Sequence, residues 1–210
     1  MVARNIPDRT DGLPPSMTRA ALSARSAEII ETAAALFAER GFHETSIQDI
    51  ASAAGIRKAS VYAHVSQKED LLRIICEDYA DITVENAKAV YASDHTATEK
   101  LTEIVRFLYG AIERYRAHVT VYLQESKYLD NEGFEVVRRQ REAWERIVVA
   151  ILRDGMQSGE FRSSEQPRVV AFLLVGMVSW AYRWYRPSGD LDVDRLTSMT
   201  VDMITRGISS

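Results

Sequence analysis

Apolar residues recur along this chain at intervals of three and four almost from end to end, the spacing that lines one face of an α-helix. In AEIIETAAALFAERG, Ile30, Ala34 and Phe37 fall on one face with Ile29, Ala33 and Leu36 beside them, and Gly41 is the natural stop. TSIQDIASAAG follows. Thr45 and Gln48 have capping-box spacing, which predicts a short helix from about Ile47 with Ile47, Ile50, Ala51 and Ala54 on its apolar side. Gly55 breaks that helix, and a third short one is predicted from about Lys58 to Val65. Ser66 and Glu69 have the same capping spacing ahead of a fourth helix, which starts near Gln67 and turns Leu71, Leu72, Ile75 and Tyr79 inward.

Thr96 and Glu99 repeat the capping pattern before LTEIVRFLYGAIERYR. A shorter helix is predicted near 118–127, and a long one over 131–158 that Gly159 ends. Pro167 suits the first position of the next, which runs to Tyr185; the last starts at Asp192 and stops before Gly207. No strand-like alternation and no internal repeat is present. The expectation is an all-α protein of about nine helices in three parts. Residues 1–20, with Pro7, Gly12, Pro14 and Pro15, read as a disordered arm. Residues 21–82 form a helix-turn-helix domain, and 83–210 a larger helical domain. The arm is mildly basic (Arg4, Arg9, Arg19, with Arg25 just beyond), and is either a solvated tail or a segment that touches DNA.

Composition narrows the class. A hydrophobic fraction of 46% over 210 residues supports a real core. No run of 18 apolar residues occurs, so no membrane-spanning helix is expected, and MVARNIPDRTDGLPPSMTRA lacks the apolar stretch of a secretory signal. Cys76 is the only cysteine and reads as a buried thiol; no internal disulfide can form. Together these point to the cytoplasm. The net charge of −4 argues against general attraction to polyanions, yet residues 45–68 carry Arg57, Lys58 and Lys68 against Asp49 alone. A nucleic-acid contact is therefore expected on one small surface.

That surface is GIRKASVYAHVSQKEDL, residues 55–71. Two short helices joined by a glycine turn make a helix-turn-helix unit whose second helix can enter the DNA major groove. Ala59 and Ser60 are small enough for close approach to base edges. Tyr62 offers a hydroxyl to phosphate, and Lys68 sits in the first turn of the fourth helix. Charge alone would equally suit a basic helical hairpin with no ligand. The longer pattern decides the weighing: A-x-x-L-F-x-x-x-G-F (Ala33 to Phe42), T-S-I-x-D-I-A (Thr45 to Ala51), then A-G, Y-x-H and K-E-x-L-L. Over residues 25–80 the chain resembles the DNA-binding domain of the TetR family of transcriptional repressors. The resemblance implies that Thr45 and Gln48 face DNA from the second helix. Arg57, Lys58, Ala59 and Ser60 then line the start of the recognition helix, and Tyr62, His64 and Lys68 clamp the backbone. Three positions depart from the family pattern: Arg57 stands for a capping Ser or Thr, Ala59 for a Gly or other small residue, and Val65 for Phe.

One such unit reads half of a two-fold site, so a homodimer on double-stranded operator DNA is expected. VVAFLLVGMVSWAYRWY is apolar nearly all round, more than one core face requires. With VDRLTSMTVDMITRGI it supplies a candidate seam containing Gly176, Val178, Ser179, Met199 and Met203, like the four-helix bundle of the family's dimers. The alternative is a helix buried within one subunit. Phe107, Tyr122, Trp144, Val148 and Phe172 are either core or the lining of a small-effector pocket, as the family resemblance implies. RWYRPSGDL and the run from HVTVYLQES to GMQSGEFR resemble the branch regulating lipid and steroid breakdown, the KstR-type repressors, which respond to coenzyme A thioesters. Arg138, Arg139, Arg141, Arg146 and Arg153 could meet an acyl-CoA's phosphates, or could form a solvated helix face. A repressor of an efflux gene released by a hydrophobic drug-like ligand is the runner-up, and a helical adaptor the alternative outside regulation. No Gly-rich phosphate loop, nucleophile–base signature or paired-carboxylate motif suggests an enzyme, and no cofactor is expected. His43, His95 and His118 are scattered, so no metal site is expected.

Overall fold

The computed structural model describes residues 23–161 and 166–208; the expected arm over 1–20 lies outside the described residues. The described residues are helical between short turns and contain no strand. The helices are α1 (Ala24–Arg40), α2 (Ile47–Ala53), α3 (Lys58–Tyr62), α4 (Lys68–Tyr91), α5 (Ala97–Arg114), α6 (Arg116–Glu125), α7 (Asn131–Ser158), α8 (Pro167–Ser179), α9 (Ala181–Trp184) and α10 (Val193–Ile208). A 3-10 turn at Ser126–Tyr128 joins α6 to α7. The helix expected to run unbroken to Tyr185 is interrupted at Trp180, where the Arg183 N–H reaches back only three residues, to Trp180 O, at 3.1 Å. With α8 and α9 taken as one interrupted helix, the described residues hold nine α-helices, as expected.

The caps show how local chemistry sets the helix starts. At α5 the Thr96–Glu99 box forms as its spacing predicts: the Glu99 carboxylate accepts the Thr96 N–H at 2.9 Å, and the Thr96 hydroxyl accepts the Glu99 N–H at 3.2 Å. At α2 the box is one residue on from the expected Thr45–Gln48 pair. Asp49 accepts from Ser46 N at 2.8 Å and Ser46 Oγ accepts from Asp49 N at 3.1 Å. Thr45 cannot cap because its hydroxyl is turned inward, donating to Gly41 O at 2.9 Å. At α4 the carboxylate that reaches back is Asp70, not Glu69; it accepts the N–H groups of Ser66 and Gln67 at 2.9 and 3.1 Å.

Helix α4 is the spine. It packs on α1 and also on α5, α6 and α7, while α10 lies along α5 and α8 along α7. The expected division at residue 82 falls inside α4, so one continuous helix serves both halves. The buried side chains, from Ile29 to Ile204, form one connected apolar cluster. Fully buried Leu101, Ile104 and Ile112 of α5 each contribute about 1.5–3 kcal/mol of apolar transfer free energy.

Candidate nucleic-acid interface

Helices α2 and α3 are too short to be stable alone; α1 and α4 hold them. Ile47, Ile50 and Ala51 of α2, Val61 of α3 and Val65 just beyond it are all buried. The connecting turn needs Gly55, whose φ of +66° would cost a side-chain-bearing residue about 1–2 kcal/mol. Val61 is the one buried residue of α3. Lys58, Ala59, Ser60 and Tyr62 therefore face outward, with Gln48, Arg57 and His64 exposed around them. Two small residues flanked by a cation and a phenol are the shape a helix needs to approach base edges while its flanks touch phosphates. Arg57 stands at the N-cap of α3 but makes no side-chain capping bond. His64 Nδ1 lies 2.8 Å from Ser26 Oγ, tying the end of α3 to the start of α1.

Two residues expected at DNA are used inside the protein. Thr45 is 1% exposed and braces the α1–α2 turn, so its side chain does not face outward from α2. Lys68 donates from Nζ to Phe42 O at 2.7 Å and to Thr45 O at 2.8 Å, above the Phe42 ring at 4.3 Å. An ammonium with its donors given to carbonyls has little left for phosphate. Arg73, which the sequence pattern did not single out, borders a groove of about 290 Å³ together with Tyr62, His64 and Ser66.

Residues 29–75 match the family described as bacterial regulatory proteins, tetR family, and residues 94–208 match the tetracyclin repressor-like C-terminal domain. The chain belongs to the TetR family. It is 32% identical to the HTH-type transcriptional repressor KstR2 of Rhodococcus jostii over 94% of this chain and 97% of that one. KstR2 of Mycobacterium tuberculosis superimposes with a TM-score of 0.84 at 27% identity, covering 90% of this chain and 97% of that chain. AibR, solved in complex with isovaleryl coenzyme A and operator DNA, superimposes with a TM-score of 0.77 at 29% identity, covering 86% and 98%. This chain is thus a TetR-family, DNA-binding transcriptional repressor similar to KstR2.

In the TetR-like C-terminal half, Phe107, Tyr122, Trp144 and Val148 are all buried. The Tyr122 ring lies 4.6 Å from that of Tyr79, and Arg141 Nε donates to the Tyr122 hydroxyl at 3.3 Å. Phe172 does not join them. It is 51% exposed on α8, beneath the Arg168 guanidinium at 5.2 Å, because the face of α8 that packs on its neighbours carries Ala171, Leu174 and Val178 instead. Of the α7 arginines, Arg138 is held by Glu135 and Glu142, Arg141 reaches Tyr122, and Arg139, Arg146 and Arg153 are exposed. A smaller cavity of about 170 Å³ lies at the C-terminal end of α7, lined by His95, Lys100, Asp154 and Glu160.

The seam residues divide. Gly176 is exposed with open space about it, and Met199 and Met203 are 54% and 67% exposed. Ser179 is half-buried. Val178 is buried inside the subunit, so it belongs to the monomer's core and not to an outer face. Val169, Phe172, Leu173 and Trp180 complete an exposed apolar stripe along α8. Among the described residues no cluster of His, Cys, Asp or Glu is arranged to hold a metal, and no helix is long and apolar enough to cross a membrane. Cys76 is fully buried, and burial pushes its thiol up to about 12.

Proposed function

We propose that the chain represses transcription in the cytoplasm as a homodimer on a palindromic operator, and that an acyl-CoA thioester of lipid or steroid catabolism releases it. The observation that carries the dimer is the stripe Val169, Phe172, Leu173, Gly176 and Trp180 beside Met199 and Met203. Such a contiguous apolar face on a surface helix is costly in water and suits a self-complementary two-fold contact. Operator contact falls to Gln48, Arg57, Lys58, Ala59, Ser60, Tyr62 and His64. The effector reading draws on the complex of AibR with isovaleryl coenzyme A. In this chain, buried Phe107, Trp144 and Val148 offer apolar surroundings for an acyl group, and Arg141 with Tyr122 a polar rim.

The test is a titration of the protein–operator complex with a fatty or steroid-derived acyl-CoA, with free CoA and the free acid as controls. The thioester is expected to bind best and to release the DNA. By linkage, operator must weaken thioester binding by the same factor. Release by a hydrophobic drug-like cation, with no response to any thioester, overturns the effector class and leaves the repressor reading standing.

A further inference from the structure

The turn that leads into α2 is held by a side chain 83 residues away. Glu125, the last residue of α6, accepts the Phe42 N–H on Oε2 at 3.0 Å. Three residues on, Tyr128 sets its ring across His43 with centroids 4.2 Å apart, and lies 6.2 Å from the Phe42 ring. The Phe42 carbonyl is meanwhile held by Lys68 of α4. The α1–α2 turn is thus gripped from both sides, by α4 of the helix-turn-helix domain and by α6 of the other half.

Helix α6 is itself fixed at both ends. Arg116 donates to the carbonyl of Tyr182 and, at 2.5 Å, to that of Tyr185, and Gln124 Nε2 donates to the Tyr182 hydroxyl at 2.8 Å. Those acceptors belong to α9 and its end, next to the exposed Trp180. Glu125 therefore transmits to Phe42 a position that the C-terminal half determines. Phe42 stands four residues before Ser46, the N-cap of α2, and α2 packs on α3. A carboxylate–amide bond is charge-assisted and directional, so it fixes where that turn sits.

We propose that Glu125 is a positioning residue for operator recognition: it touches no DNA, but its bond to the Phe42 amide orients α2 and α3 for the specific site. This rests on the reading of the chain as an operator-binding repressor. The experiment compares Glu125→Ala, which removes the acceptor, with Glu125→Gln, whose amide oxygen keeps one at the same reach. The probe is a duplex selected by the wild-type protein from a random-sequence pool, beside a scrambled duplex. Glu125→Ala is expected to weaken the selected duplex about tenfold, the scale of one hydrogen bond to a charged group. Scrambled DNA should be bound as before with an unchanged salt slope, since no phosphate contact is lost. Glu125→Gln should recover most of the loss. Without DNA, hydrogen exchange at residues 42–46 should quicken in Glu125→Ala and not in Glu125→Gln. Equal weakening on both duplexes, or wild-type affinity in Glu125→Ala, overturns the proposal. If the wild type enriches no duplex, the repressor reading fails instead, and the exchange comparison still decides whether Glu125 holds the turn.

Discussion

Helix α3 of the helix-turn-helix and helix α8 of the other half both expose more than they bury, but with opposite chemistry. Helix α3 buries Val61 alone and shows water Lys58, Ser60 and Tyr62, groups that water solvates well. Helix α8 buries Ala171, Leu174 and Val178 and shows water Val169, Phe172 and Leu173. A polar exposed face is stable as it stands and waits for a charged partner. An apolar exposed face is incomplete in one subunit, and its stability rises with the partner's concentration. On the proposed reading the two surfaces take occupants that differ in kind, and α6 is braced against α9 at both ends and against Phe42 through Glu125.

Charge placed on the two faces of α8 is the strongest way to break this comparison. Val178→Glu buries an unpaired carboxylate and should abolish cooperative folding at ordinary temperature, at a cost of several kcal/mol. Leu173→Glu, 62% exposed in one subunit, should leave a folded, helical chain that sediments as a monomer and loses specific operator binding. Intact dimers in Leu173→Glu would remove the stripe from the interface.

Acid should loosen the contact between α1 and α6. His118 is 1% exposed, and burial pulls its imidazole down to about 4, with Glu31 3.6 Å away. Its folded pKa lies below the unfolded value, so the unfolded chain takes up protons first as pH falls. Its share of stability is complete above about 6.5 and lost on the way down to about 4, on the order of 3 kcal/mol. Chemical denaturation across that window should show the loss, and His118→Phe should flatten it.

Smaller effects separate the cations. Arg57→Ala should lower the salt slope of operator binding by about one and leave the unfolding temperature unchanged. Lys68→Met should do the reverse, lowering the unfolding temperature because the carbonyls of Phe42 and Thr45 lose their donor, with the salt slope close to wild type. Gly55→Ala should destabilise by about 1 kcal/mol through its positive φ, measured by denaturant midpoint.

The helix-turn-helix was legible in the chain because its signals are local. Gly55, the capping residues and the period of Ile47, Ile50 and Ala51 act over a few positions, and the outward residues of α3 follow once Val61 is set inward. The failures there are also local in scale. Thr45 and Ser46 both fit a capping role, and only the inward hydrogen bond from Thr45 to Gly41 O chose between them. Lys68 read as a surface cation because nothing in the sequence says that the carbonyls of Phe42 and Thr45 lie within its reach.

In the second half the alphabet of positions was readable and the grouping was not. Phe107, Tyr122, Trp144 and Phe172 all had helical spacing, yet the first three are buried and Phe172 is not. Periodicity states that a residue lies on an apolar side; it does not state which neighbouring helix covers that side. For α8, apolar nearly all round, the choice between Val178 inward and Leu173 outward came from packing on α7, α5 and α10. The sequence by itself determined the all-α class, most helix ends and the small, polar outer face of α3, since these depend on interactions between residues a few positions apart. Tertiary structure alone decided that Lys68 serves the turn, that Val178 belongs to the core, and that Glu125 meets the Phe42 amide, because each depends on chain segments that sequence distance keeps apart and only packing brings together: α1, α4 and α6 around Lys68 and Glu125, and α7, α5 and α10 against α8 around Val178.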